Sequence, residues 1–405
     1  MRCCGSTPTV SSRLGCDGED GRPRRLTQRN ALIPVGPSCS RDSSKRTKRV
    51  RIDRARVGRY ARAGWRWARL LAPKRAKPGA RVFYAQDSIP EPGAPVAGGT
   101  AKVQRLASRF PNRPTDFNVL YFGSTWLPRD LEPLLRLAER RAIPVVVNQD
   151  GVAYPGWAGE RTDALNRPLR RALQAADHVL YQSRFSKDSS DLYLGEPNGS
   201  WEILHNAVDV DRFVPASEHP AGPPVLLLGG DQTQAYRVEL GLRTFACLLR
   251  IHPEARLLVS GRLVSSVEPL LAELDLRERV ELVGRYAQRD APKLIRRAHL
   301  FLHTKVKDPC PSAVIEAMAC GVPVVYPASG GTVELVGNEA GVGVPHPESW
   351  ERDEPPSPEA LADAAARVLA DLPTYRAAAR TRAVERFSLE PWLDRHTQLF
   401  AELAR

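Results

Sequence analysis

DPCPSAVIEAMACGVPVV, Asp308 to Val325, is the stretch whose reading decides the fold. It runs through a loop, a helix start, a short apolar helix, a glycine stop and a buried strand. Pro309 and Pro311 stiffen the entry, and Ser312 stands where an N-cap belongs. Ala313–Ala319 reads as the helix and Val322–Tyr326 as a strand covered on both faces. An all-apolar strand of that length belongs in a parallel sheet rather than an antiparallel one with a wet side.

Working outward, the same unit recurs. Upstream, Val225–Leu228, Arg256–Ser260, Val280–Val283 and Leu300–Leu302 read as strands, with helices over Glu239–Arg250, Val267–Leu274 and Ala291–Arg297. An earlier series places strands at Val82–Ala85, Asn118–Phe122, Pro144–Val147 and His178–Gln182. Its helices are Gly99–Phe110, Asp130–Arg141, Leu165–Ala175 and Phe185–Leu194. Two successive strand–helix series predict two Rossmann-like, doubly wound parallel-sheet domains facing across a cleft. Their expected spans are 80–215 and 216–388, with Pro215–Pro224 as the linker. Helices are expected over Pro358–Asp371, Thr374–Phe387 and Glu390–Arg405.

The chain of 405 residues has a formal net charge of +13, which invites a nucleic-acid reading. Residues 1–80 hold 21 Lys plus Arg against 5 Asp plus Glu, leaving 38 against 41 in the rest. The basicity is confined to a tail, so no nucleic acid is expected on the body. Residues 1–55 read as a disordered extension. In 56–79, Arg56, Arg59, Arg62, Arg66 and Arg69 interleave with Tyr60, Trp65, Trp67 and Leu70. That pattern suits either a helix lying on an anionic membrane surface through residues 56–75 or a solvated helix against the first domain. No apolar run is long enough for a membrane span, and the seven cysteines form no metal or disulfide pattern; a cytoplasmic location is expected, peripheral on the inner face of the membrane in the membrane-bound reading.

The chemistry concentrates at 308–316. Free backbone N–H groups at a helix start carry partial positive charge and bind phosphate without metal. Carboxylates such as Asp308 and Glu316 accept hydrogen bonds from sugar and ribose hydroxyls. Asp209-Val210-Asp211 has metal-binding spacing but sits far from any phosphate loop, and no metal or other cofactor is expected. His178, His205, His252, His299 and His303 are read as packed or capped residues.

Several motifs fall in a familiar order. Asp308, seven residues, then Glu316-Ala-Met-Ala-Cys-Gly-Val-Pro-Val-Val is similar to an acid-x(7)-Glu signature. Gly330-Gly-Thr-Val-Glu-Leu-Val336 follows it. His205-Asn-Ala-Val-Asp209 with Phe213 and Pro215, Gly98-Gly99 with Val103–Ala107, and His252-Pro-Glu-Ala255 precede it. Together they resemble glycosyltransferase family four, the retaining enzymes of GT-B fold, over residues 80–405. The resemblance implies a nucleotide-sugar donor and a glycan or lipid-linked acceptor. It implies that Glu316 meets the ribose, Asp308 the transferred sugar, and the backbone of Cys310, Pro311, Ser312 and Ala313 the diphosphate or sugar. Gly98 and Gly99 would let the first domain approach the phosphates, and residues 389–405 would cross back onto that domain.

Three departures stand out. The first acid is Asp308 rather than Glu. Where the family places an Arg and, five residues later, a Lys, this chain has Asp231 and Tyr236, leaving Arg237 as the candidate cation. Where the family often has a catalytic His, Gln149 stands, with Asp150 beside it as an acid–base, positioning or simple turn residue. A sugar-nucleotide epimerase of the same fold and a tail-driven membrane or nucleic-acid binder are the competing readings.

Overall fold

The structure, a computed structural model, describes residues 79–91, 98–218 and 221–404. The tail 1–55 and nearly all of 56–79 lie outside them. Five strands, β1 (Val82–Phe83), β2 (Val119–Gly123), β3 (Val145–Gln149), β4 (His178–Tyr181) and β5 (Ser200–Ile203), form a parallel sheet in sequential order. Six more, β6 (Val225–Leu228), β7 (Arg256–Ser260), β8 (Val280–Gly284), β9 (Leu300–Leu302), β10 (Val324–Pro327) and β11 (Gly341–Val344), form a second parallel sheet ordered β11-β10-β9-β6-β7-β8. From β6 the chain builds outward through β7 and β8, then crosses to β9 on the other flank. The crevice between β6 and β9 is the switch point where such sheets hold ligands.

Alternation along the strands sorts side chains to opposite faces. Leu120 and Phe122 of β2 join the core made with the helices Leu131–Arg140, Thr162–Gln174 and Arg184–Leu194. Val119 and Tyr121 join the opposite core, which the Gly98–Arg109 helix shares with the last helix, Leu389–Leu403. Phe400 is fully buried there, edge-on to Tyr121 and Phe110. The chain's last helix thus covers the first sheet. Two strands escape the sequence reading. β5, Ser-Trp-Glu-Ile, is a half-exposed edge, and β11, Gly-Val-Gly-Val, spends half its positions on glycine. Neither makes the apolar run that marks a buried strand. Ser312 is corrected too. Pro311 holds the N-cap position, Ser312 is the first helical residue, and no side chain caps this start.

The sheets are joined by a polar seam. Glu334 accepts hydrogen bonds from the backbone N–H of Arg184 (2.8 Å) and Phe185 (3.0 Å), so a carboxylate of the second domain caps a helix of the first. Asn206 donates to the carbonyls of Cys310 (2.7 Å) and of the Gln182 side chain (3.0 Å). Pro309 lies so close to Gly151 that a Cβ there would stand 2.9 Å from the proline ring, and a Cβ on Gly331 would overlap the Pro309 carbonyl.

Glu334→Ala is expected to cost about 1–2 kcal/mol, the scale of a lost N-cap. The loss should appear as faster amide exchange at 184–186 before the rest of the chain. A second expectation concerns acid. Burial alone would raise the Glu202 carboxyl. The contacts from His178 (3.2 Å) and Arg395 (2.9 Å) outweigh it and bring the pKa from an ordinary 4.5 to about 2. A depressed carboxyl stabilises the fold above its unfolded value and stops doing so as pH falls toward the folded one. The stability advantage of the unaltered protein over Glu202→Gln, measured by urea unfolding, should therefore be present at pH 5 and largely gone at pH 2.5.

Candidate active site

The carboxyl ends of the two sheets enclose a cleft of about 910 Å³. From the second domain come the loops after β6 and β9 and the start of the Ser312–Ala319 helix. From the first come the ends of β2 and β3 and the start of the Gly98–Arg109 helix.

Glu316 sits on the first turns of its helix, nearly buried. It accepts from Gln288 Nε2 (2.7 Å) and from Arg105 Nη2 (3.1 Å), and Arg105 belongs to the first domain. Burial pushes its carboxyl up; the opposing pull of Arg105, Gln288 and Arg212 does not fully reverse this. Asp308 behaves in the opposite way. Burial would raise it, yet Lys305, His303 and Arg237 together hold it below the usual carboxylate range. Lys305 Nζ is 3.2 Å from Asp308 Oδ2, and His303 Nε2 is 3.7 Å from the same oxygen. Burial drives the His303 imidazole down to about 3, with Asp308 pulling the other way, so the ring is neutral at pH 7. Its Nε2 is buried without a hydrogen-bond partner.

The structure brings most of the candidate residues together. Asp308, Cys310, Pro311, Ser312, Ala313, Glu316, Arg237, Gly99 and Asp150 all line the cleft. Ser312 and Ala313 open the helix, so their N–H groups have no partner within it. The Cys310 thiol is not a reactive group. Burial pushes it up to about 12, and its Sγ accepts from Asn206 N at 3.3 Å. Gly98 begins its helix. Gly99 is required for a different reason from the one expected, because a Cβ there would run into Thr125 Oγ1 and the Trp126 ring rather than into the cleft.

Gln149 does not reach the cleft. It is fully buried and donates to the Gly151 carbonyl at 2.8 Å. Asp150 does face it, with both oxygens engaged: one by Lys102, the other by Thr125 N (3.2 Å) and Thr125 Oγ1 (2.5 Å). So bound, it is a braced positioning group. Asp209 of the Asp-x-Asp sequence caps a turn, accepting from Asp211 N and Arg212 N. Among the described residues no three His, Cys, Asp or Glu side chains gather as metal ligands.

Sequence reasoning missed Lys102, Arg105, His303 and Lys305. Arg105 falls within a motif, but nothing local marks it as the partner of a residue 211 positions away. His303 and Lys305 follow β9 at the switch point, and their place after a short apolar strand was the available signal.

The Glycosyl transferases group 1 family model matches residues 209–385. One phosphatidylinositol N-acetylglucosaminyltransferase subunit, from Arabidopsis thaliana, is 26% identical over 47% of this chain and 43% of its own length. The GDP-mannose-dependent alpha-(1-6)-phosphatidylinositol monomannoside mannosyltransferase of Mycolicibacterium smegmatis is 25% identical, over 67% and 72% respectively. The chain spans about half the length of the first curated relatives it matches. Among solved structures, Anabaena Alr3699/HepE in complex with UDP superposes with a TM-score of 0.57 at 18% identity, covering 75% of this chain and 81% of that one. Sucrose-phosphate synthase from Thermosynechococcus elongatus gives 0.59 at 19% identity, covering 81% and 99%. With two facing parallel sheets and these superpositions the chain has the GT-B fold, and its residues 209–385 match the glycosyl transferases group 1.

Proposed function

We propose that the chain transfers a sugar from a nucleotide-diphosphate sugar to a glycan or lipid-linked acceptor, with retention at the anomeric carbon. The observation that carries this is the convergence of two differently tuned acids on one uncapped helix start at a sheet switch point. Glu316, steadied by Arg105 and Gln288, accepts from the ribose hydroxyls. Asp308, kept ionised, accepts from hydroxyls of the transferred sugar, and neutral His303 offers a further hydrogen-bonding nitrogen beside it. The free amides at 312 and 313 face the diphosphate, where charge develops as the sugar leaves. The new bond forms between the acceptor oxygen and the anomeric carbon as the bond to phosphate breaks. The acceptor proton passes to the departing phosphate oxygen, so no protein base is required and Asp150 can remain braced. No metal is needed in this scheme, because backbone dipoles and side-chain cations supply the positive charge.

The acceptor enters at the other end of the cleft, where Tyr154, Trp157, Phe185 and Trp350 form an aromatic wall. Trp157 is half exposed and free to lie against a sugar ring. The relatives whose names specify phosphatidylinositol acceptors favour a lipid-linked one. No helix among the described residues is long and apolar enough to cross a membrane. Attachment to the surface is assigned to residues 56–75, where Arg56, Arg59, Arg62, Arg66 and Arg69 contribute roughly 1 kcal/mol each near anionic lipid.

The donor reading is tested by thermal shift with UDP, GDP, ADP, CDP and their sugar conjugates. A ligand at 100 times its Kd adds about 2.7 kcal/mol. One nucleotide should raise the Tm, Glu316→Ala should abolish the rise, and the product should keep the donor's anomeric configuration by NMR. No rise with any nucleotide removes the reading. Surface attachment is tested by sedimentation with phosphatidylserine vesicles. The full chain should pellet and the chain lacking residues 1–75 should not.

A further inference from the structure

At positions 231 and 236, where this family's Arg and Lys are expected, the chain has Asp and Tyr, and the structure explains what they do instead. Asp231 lines the cleft, tied to the neighbouring loop. Its carboxylate accepts from Arg262 N (2.8 Å), and its carbonyl accepts from Arg237 Nη1 (2.5 Å). Tyr236 reaches across to the neighbouring loop, its hydroxyl accepting from Val306 N (3.2 Å). Both residues brace loops, and neither offers positive charge to a ligand.

The loop that Tyr236 braces carries cations of its own. Val306 lies between Lys305 and Lys307. The backbone is pinned at each following step. Lys307 N donates to Ser329 Oγ (3.0 Å), and the Asp308 carbonyl accepts from Gly331 N (2.9 Å). Lys307 is also held in the left-handed region, φ 51°, unusual for a side chain of its size. Its ammonium is already committed, donating to Asp353 Oδ1 (2.8 Å) and to the Arg352 carbonyl (3.1 Å), with a side chain 7% exposed. Lys305 differs. Its side chain is 31% exposed, it lines the cleft, and its one partner there is Asp308 at 3.2 Å. Facing the same cleft is Arg237, 5% exposed, with its Nε buried and unpartnered.

We infer that Lys305 supplies the cation that meets the donor's diphosphate, a charge moved from the helix after β6 to the loop after β9. The two loops flank the same crevice, since β6 and β9 are hydrogen-bonded neighbours. A cation on either side of it meets the same anion. Lys305 also holds Asp308, so one ammonium ties the sugar-binding carboxylate to the phosphates. The shortened acid at 308 then has its reach set by Lys305. This inference rests on the donor reading above.

The test is calorimetric titration with whichever of UDP, GDP, ADP and CDP the unaltered protein binds most tightly, and with its monophosphate. Lys305→Ala should weaken the diphosphate by roughly tenfold or more, as loss of a charge-assisted contact does, and the monophosphate much less. Lys305→Arg should restore most of the difference. An equal loss for both nucleotides, or no loss, overturns the inference while the donor reading stands. So does full recovery of diphosphate binding in Lys305→Ala combined with Asp308→Asn, which would mean that Lys305 only masks a repelling carboxylate. A protein that binds none of the four removes the donor reading and this inference with it. The unliganded Tm of each variant separates a binding defect from a folding one.

Discussion

The loop Asp308–Pro311 is wedged between the two sheets, and the geometry of the cleft depends on that wedge. Pro309 fills the space above Gly151 on one side and Gly331 on the other, and a side chain at either glycine would drive it out. Asn206 holds the Cys310 carbonyl from the first domain, while Gly331 N holds the Asp308 carbonyl from the second. Backbone groups fixed from both sides have no rotamer freedom to lose when a ligand arrives. That is the kind of preorganisation which makes a helix start and a carboxylate effective toward a developing charge.

The wedge also explains why two acids eight residues apart are tuned oppositely. Glu316 is on the helix, against apolar packing, with its cation supplied from the far domain. Burial is the larger influence there and raises it. Asp308 is on the loop, where Lys305, His303 and Arg237 converge, and the sum of three neighbours exceeds the cost of burial. In the function proposed above, a group that accepts hydrogen bonds from the sugar throughout the reaction is better kept ionised, whereas one that binds ribose hydroxyls tolerates a higher pKa, because its partners change little during transfer. Burial keeps His303 neutral, and protonating it would add a third positive charge beside Lys305 and Arg237.

Both sheets and their layering were legible, because β2, β3, β6, β7 and β10 are runs of buried branched and aromatic residues. The edges were not, since β5 and β11 owe their strand geometry to a neighbour rather than to their own composition. The acid pair and the helix start were legible for a similar reason: they are local, within nine residues. What escaped was whatever depends on two distant segments meeting. Arg105 on Glu316, Lys102 on Asp150 and Glu334 on the Arg184–Leu194 helix are cross-domain or long-range contacts with no local pattern. Gln149 was misplaced by the same limit. Position along a strand does not say which of two faces opens on the cleft, and Asp150, one residue on, takes the facing position.

The segment after β11 extends this logic to the far end of the cleft. Trp350, from the second domain, stacks on Phe185 (5.7 Å between ring centres) and meets Tyr154 and Tyr193 edge-on, all three from the first domain. Its carbonyl accepts from Gly156 N at 2.8 Å. Three residues on, Asp353 gathers Tyr154, Lys307 and Gln234. Tyr154 belongs to the aromatic wall of the cleft, whereas Lys307 neighbours Asp308. A displacement of either domain must therefore disturb both ends of the cleft together, because the same carboxylate is bonded to each. Hinge motion in two-domain enzymes commonly gates substrate entry. Here the strap ties opening at the aromatic end of the cleft to loosening of the loop that carries Lys305 and Asp308.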